Sequence, residues 1–414
     1  MSVADSPIGK TILLRLFVPF ALGYFLSYLF RVVNAVIAPD LTRELGLSPA
    51  DLGLLTSAYF LTFAMFQLPL GVMLDRMGPR RIEGILLLFA GAGALIFALS
   101  ESTLGLVIGR GLIGFGVSAC LMAPFKAFVD WLPANRLPLA NGVQMAAGGL
   151  GALSATAPVQ VLLQVTDWRG LFLLLAALSV IVAAVVWFVV PDRPEEPPKS
   201  SLRGQIRGVA QVFTSAAFWR IAPLAVLAQA SFHSIQSLWA GPWLRDIAGM
   251  ERGDAANVLF LIAAAMVAGF ITWGAFTMRL NRRGIRTATV AATGMSLFIC
   301  VQIMLLFLPV AWTVPLWMLF GFMGTTGILS YAALSQAFPR ALAGRVNTAV
   351  NLLVFVVAFV AQWGMGGVIG LWPVRPGGGY EPAAYHASFG MMIVLQLTMA
   401  LWYWWSVFRE RRGT

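Results

Sequence analysis

Charge is what this sequence has least of. Only 11% of its 414 residues are Asp, Glu, Lys or Arg, against about one quarter in an ordinary soluble domain, which excludes a water-surrounded globule. The 17 Asp and Glu fall in polar stretches or near the ends of apolar runs. None lies mid-run, so charge inside the apolar segments reads as entirely basic. That excludes a paired-carboxylate site for acid–base work. The two cysteines, Cys120 and Cys300, both fall in apolar stretches and read as small core residues rather than a disulfide or metal pair. No His, Cys, Asp and Glu cluster has metal-ligand spacing, and no Ser/His/Asp or Cys/His constellation stands in a known motif. The 17 methionines are scattered, as core filling requires and copper handling does not. Neither an enzyme nor a cofactor nor a bound metal is expected.

What is present is apolar length. The chain is 59% hydrophobic, with mean hydropathy +0.83. Twelve stretches are each long enough to cross about 30 Å of hydrocarbon as a helix. They lie near 12–38, 50–74, 82–100, 104–130, 139–163, 169–190, 217–244, 255–280, 286–308, 312–338, 346–371 and 385–408. In lipid only a helix satisfies every backbone group within such a segment, so the fold is an all-α membrane protein. The first stretch is too long for a cleavable leader and has no small-residue cleavage site after it. The net charge of +11 is not a nucleic-acid signature, because its arginines sit in short clusters between apolar runs. They set topology instead. With the N-terminus inside, Arg43, Arg169, Arg245, Arg252 and Arg375 are left outside, Arg31 and Arg110 lie within spans, and the remaining Lys and Arg are cytoplasmic. Both termini are then cytoplasmic. Trp402, Tyr403, Trp404 and Trp405 form an interfacial belt before the closing arginines. Arginine outnumbers lysine 25 to 3, a habit of GC-rich bacterial genomes, so a bacterial inner membrane is expected.

The stretch Gly71-Val-Met-Leu-Asp75-Arg76-Met-Gly78-Pro79-Arg80-Arg81 packs three arginines, an aspartate and a tight turn between two spans. It resembles the loop signature of the major facilitator superfamily, G-x-x-x-D-R-x-G-R-R. Gly71 and Asp75 share a helical face. The halves repeat: Gly78 and Gly284, Pro133 and Pro339, and Asn141 and Asn347 are each 206 residues apart. The second copy has Asn281 where the first has Asp75. With the resemblance, this gives twelve transmembrane helices in two six-helix bundles related by a pseudo-two-fold axis along the membrane normal. The expected division is 1–190, a cytoplasmic linker at 191–216, and 217–414. Leu202, Ile206, Val209 and Phe213 recur at helical spacing in that linker, as in a helix lying on the membrane surface.

The candidate site residues are polar groups in apolar surroundings. Arg31 lies well inside the first span, and Asn34 three residues on is placed on the same face. A mid-membrane arginine is costly and is expected to face the bundle interior. The stretch Phe30–Leu41 resembles the first helix of superfamily members that carry organic anions, where an arginine binds substrate. Arg110-Gly-Leu-Ile-Gly114-Phe-Gly116 resembles a second superfamily motif, linked to proton coupling or to helix packing. Lys126 and Asp130 stand four apart and can pair, or Lys126 can meet an inward-moving anion. Gln229, His233 and Gln236 fall at 4 and 3 residue spacing, with His233 the in-span group that titrates near neutral pH. Asn141, Gln144, Asn347, Asn351 and Gln362 read as interhelical glue. The resemblance also implies that Asp75, flanked by Arg76 and Arg80, latches the inner face against Arg345. Gly148–Pro158 departs from the Gly-Pro motif of drug-efflux members, which weakens hydrophobic efflux as an alternative. A non-transporting receptor or scaffold is the remaining class. The expectation is a monomeric secondary transporter of a small organic anion, contacting lipid and protons but no nucleic acid.

Overall fold

The computed structural model describes residues 10–132, 137–191, 202–338, 342–375 and 378–412. Each of the twelve apolar stretches lies on one helix or on two separated by a short break. The first is α1 (Lys10–Val32) with α2 (Asn34–Leu45); α3 (Pro49–Met77) and α4 (Pro79–Leu99) come next. The fourth is α5 (Thr103–Gly116) with α6 (Met122–Trp131), and the fifth is α7 (Leu137–Ser154) with α8 (Ala157–Leu162). Then come α9 (Trp168–Val189) and the linker helix α10 (Leu202–Phe213). The seventh is α11 (Ala216–Ser234) with α12 (Ala240–Asp246), joined by a π turn at Ile235–Trp239. Next are α13 (Arg252–Arg282), α14 (Thr287–Phe307) and the tenth stretch, α15 (Thr313–Gly324) with α16 (Leu329–Ala337). The chain closes with α17 (Ala343–Ile369) and α18 (Pro382–Arg412). Among the described residues, ten spans are long and apolar enough to cross a membrane unaided. Residues Ile206–Phe213 and Ala216–Asp246 form a further pair bent by 91°, and Thr103–Gly116 is a shorter apolar helix. The bend turns α10 away from α11, with Trp219 Nε1 donating to the Phe213 carbonyl at the corner, 2.7 Å.

The chain forms two compact units. One comprises Met1–Val33 and Ala58–Gln205, the other Asn34–Ser57 and Ile206–Thr414. In the first, α4 packs against α5 and α9, and α1 against α7. In the second, α13 packs against α15 and α11 against α17, while α2 lies against α12. Large apolar side chains such as Phe188 and Ile271 are exposed, as lipid-facing positions are. Gly78 and Gly284 both adopt φ +82°, a left-handed conformation that glycine enters without penalty. The same turn thus recurs at the same offset in both units. Across the second turn Asn281 Nδ2 donates to Thr287 Oγ1, 3.1 Å.

Three expectations are corrected. Asn34 does not continue the helical face of Arg31, because the helix breaks at Val33 and α2 begins anew. Cys300 is exposed rather than buried: it shares the lipid-facing side of α14 with Leu297 and Met304. Charge in the interior is not entirely basic. Glu83 is fully buried, because it falls in register with Leu87, Ala90 and Ala94 on the buried face of α4. Nearness to a helix start had made it read as solvated.

Candidate functional site

At the break in the first span a side chain from another helix takes up a backbone carbonyl. In an unbroken helix the Phe30 carbonyl would accept from the Asn34 amide. Here it accepts from Arg110 Nη1 of α5, 3.0 Å. Arg110 is buried, and its guanidinium carbon lies 5.3 Å from the centre of the Tyr59 ring. The glycines after Arg110 bring α5 into close contact: a Cβ at Gly114 would collide with the Tyr59 backbone, and one at Gly116 with that of Ala90. The arginine–glycine motif therefore positions α1, α3 and α4 in this unit.

Arg31 sits one residue past that carbonyl and is held differently. Its guanidinium carbon lies 4.5 Å from the ring centre of Tyr28, 5.6 Å from Phe63 and 5.8 Å from Tyr59. Arg31 is 6% exposed. Tyr59 is fixed in turn by its hydroxyl donating to the Ser27 carbonyl, 3.2 Å. Aromatic faces stabilise the cation through their ring quadrupoles. The planar fork of donors is a geometry suited to a carboxylate or sulfonate.

The remaining predicted groups separate. Asn34, on α2 in the second unit, is buried, and neither amide atom has a hydrogen-bond partner among the described residues. Lys126 pairs with Asp130 at 3.6 Å on α6. The Gln229–His233–Gln236 stripe is not one face, because the π turn starts at Ile235 and rotates the later residues off the helical register. Gln229 packs on Gly327, His233 stacks on Phe355 of α17 at 5.5 Å, and Gln236 Nε2 donates to Met266 Sδ, 3.3 Å. Arg345 runs against Gly208 of α10. The side chain of Asp75 lies outside the described residues; Arg76 is exposed at the end of α3, and Arg80 is half-buried at the start of α4.

Sequence reasoning missed a polar chain in the second unit. Gln362 Nε2 donates to Thr56 Oγ1, 2.6 Å, its Oε1 accepts from Ser237 Oγ, 2.8 Å, and its carbonyl accepts from Trp239 Nε1, 3.2 Å. Asp40 of α2 is ion-paired with Arg252 of α13. These bonds tie α2 to α13, and the start of α3 through α17 to the π turn at Ile235–Trp239. Beyond them Asp246 accepts from the Tyr380 amide and the Tyr385 hydroxyl, 3.0 and 2.6 Å. Burial with the nearby Asp246 carboxylate pushes Tyr380 up to about 12. None of these partners can be read from periodicity, since each is distant in sequence.

The Major Facilitator Superfamily profile matches residues 20–362. The chain belongs to the Major Facilitator Superfamily. Its relatives and structural neighbours are membrane transporters, not enzymes. It is 30% identical over 175 residues to a protein of Cupriavidus necator named "probable sulfoacetate transporter", covering 42% of this chain and 41% of that one. It is 25% identical over 276 residues to the hexuronate transporter of Escherichia coli strain K12, covering 60% and 62%. It is 30% identical over 183 residues to the galacturonate transporter of Dickeya chrysanthemi, covering 44% and 52%. The matches thus span about two fifths to three fifths of these relatives. In solved structures the fold matches a bacterial homologue of the human lysosomal transporter Spinster, with TM-score 0.76, 17% identity and coverage of 95% and 97%. It also matches the D-xylose–proton symporter, with TM-score 0.71, 15% identity and the same coverage. This superfamily chain is therefore a multi-pass membrane protein with the superfamily fold.

Proposed function

We propose that the chain is a secondary transporter of small organic anions, working by alternating access and coupled to protons. The observation that carries this is Arg31, a buried cation boxed by Tyr28, Tyr59 and Phe63. An intramembrane arginine is expensive and marks a substrate path. Sulfoacetate, hexuronates and galacturonate, named for the three relatives, each carry an acid group that an arginine fork can receive. Asn34, with a buried amide lacking partners among the described residues, is a second proposed contact; Lys126, His233 and Gln236 complete the proposed set, His233 as a proton group. In this reading Asp75, Arg76, Arg80 and Asp130 are gating residues of the first unit and Arg345 one of the second, and Arg110 holds the carbonyl at the kink next to Arg31. The protein is taken as a monomer of two six-helix bundles in a bacterial inner membrane, both termini cytoplasmic.

The test is uptake by proteoliposomes of radiolabelled galacturonate, tartrate and sulfoacetate, with galactose as the neutral comparison, each with and without an inward-acid gradient. Uptake of at least one anion and not of galactose supports the reading. Uptake of galactose alone, or of none of the four by well-inserted protein, overturns it.

A further inference from the structure

The buried face of α4 carries a residue that recognition of an anion does not use. Glu83 stands about 6 Å along the helix axis from Pro79 and is 0% exposed. Among the described residues, neither of its carboxyl oxygens has a hydrogen bond of normal geometry. Helix α1 makes room for it with Gly23, where a methyl group would collide with Oε1. The Cys120 thiol, in the bend between α5 and α6, is set beside the carboxyl, and a thiol is only a weak donor. Helix α9 presents the Trp187 ring to the neighbouring Gly84. Among the described residues, Cys120 is the titratable group these elements bring beside Glu83, with the Arg31 charge acting on Cys120 in turn. A buried polar group without strong partners costs stability, and a leucine or glutamine would fill the same space. What an acid adds at this position is the ability to take up and release a proton.

We propose that Glu83 is a proton-carrying carboxyl of the transport cycle. It holds its proton in the packing described here and releases it when α1 and the α5–α6 bend draw apart from α4. The step moves one proton: the carboxyl O–H bond breaks, the proton passes to water, and a hydrated carboxylate remains until the reverse step reloads it. Gly23 and Arg31 lie on the same helix, eight residues and about 12 Å apart along the axis. A shift of α1 that frees Glu83 therefore also moves the anion contact. This inference rests on the transporter reading, and it assigns to the first unit a proton site that the histidine reading places on α11.

Two measurements test it. Infrared difference spectra of the purified protein, taken between acid and alkaline pH with no solute, are expected to contain a protonated-carboxyl band from an apolar site. Glu83→Gln should remove that band and Cys120→Ala should shift it. A spectrum unchanged by Glu83→Gln overturns the proposal, whatever the solute proves to be. In proteoliposomes, the ratio of galacturonate uptake with an inward-acid gradient to that without is expected to fall to about one in Glu83→Gln. A ratio that stays raised in a well-inserted Glu83→Gln protein overturns the proposal. Failure of the wild type to take up galacturonate counts against that substrate alone, and the infrared arm then decides. If Glu83→Gln does not insert, the Cys120→Ala band shift carries the test: a shift supports the proposal and its absence contradicts it.

Discussion

Arg31 and Arg110 are both buried arginines of the first unit, and both stand near the Tyr59 ring, yet they are held in different ways. Arg110 points a donor at the backbone carbonyl beside the break in the first span at Val33. Arg31 is surrounded by aromatic rings. The first arrangement fixes architecture, because the cation completes a hydrogen-bond ladder that the kink has opened. The second sets the cation among the rings of Tyr28, Tyr59 and Phe63, whose quadrupoles favour it. Intramembrane arginines alike in sequence thus divide into a positioning role and a binding role according to what surrounds them.

The two arginines should give opposite phenotypes. Arg31→Gln should lower anion uptake on the order of 100-fold, the loss of one strong charge-assisted contact, with little change in the thermal unfolding midpoint in detergent. Arg110→Met should do the reverse in kind. It leaves the Phe30 carbonyl buried without its donor, which costs about 1–3 kcal/mol, read as a lowered unfolding midpoint. If both variants lose only uptake, or both lose only stability, the distinction fails. Gly23→Ala sharpens it on the same helix: the added methyl meets Glu83, and overpacking of this sort costs about 1–2 kcal/mol without removing the anion contact. The smallest effect is expected at Asp40→Asn. Its pair with Arg252 is partly exposed, side chains 23% and 36%, so about 0.5 kcal/mol is at stake. It should appear as faster labelling of single cysteines placed on α2 by a membrane-impermeant reagent, with the unfolding midpoint almost unmoved.

Periodicity and composition made the helices legible. Runs of apolar residues leave no alternative to a helix in lipid, and the turn at Gly78 could be matched to Gly284 by offset alone. Arg31 was legible because a mid-span charge is conspicuous. Glu83 was not, since its position four residues into α4 looks solvated until the register of Leu87, Ala90 and Ala94 shows which face is buried. The kink at Val33 was hidden for a different reason. The carbonyl beside it is taken up by Arg110, some eighty residues away, and nothing local to the Phe30–Asn34 stretch announces it. The π turn after Ser234 likewise undid a spacing argument that assumed 3.6 residues per turn. Gln362 could be named as glue from its sequence, but its partners Thr56 and Ser237 lie on other helices and could not.

The central claim is that Arg31 receives the acid group of the solute. The most direct measurement is ligand-induced thermal stabilisation, since a solute that binds only the folded protein raises its unfolding midpoint. Galacturonate, tartrate, sulfoacetate and galactose would be titrated against the wild type and against Arg31→Gln at one pH and salt concentration. The account predicts that at least one of the anions stabilises the wild type, that galactose does not, and that Arg31→Gln loses the response while unfolding at nearly the same temperature without solute. An Arg31→Gln protein stabilised by the same anion to the same extent would contradict it.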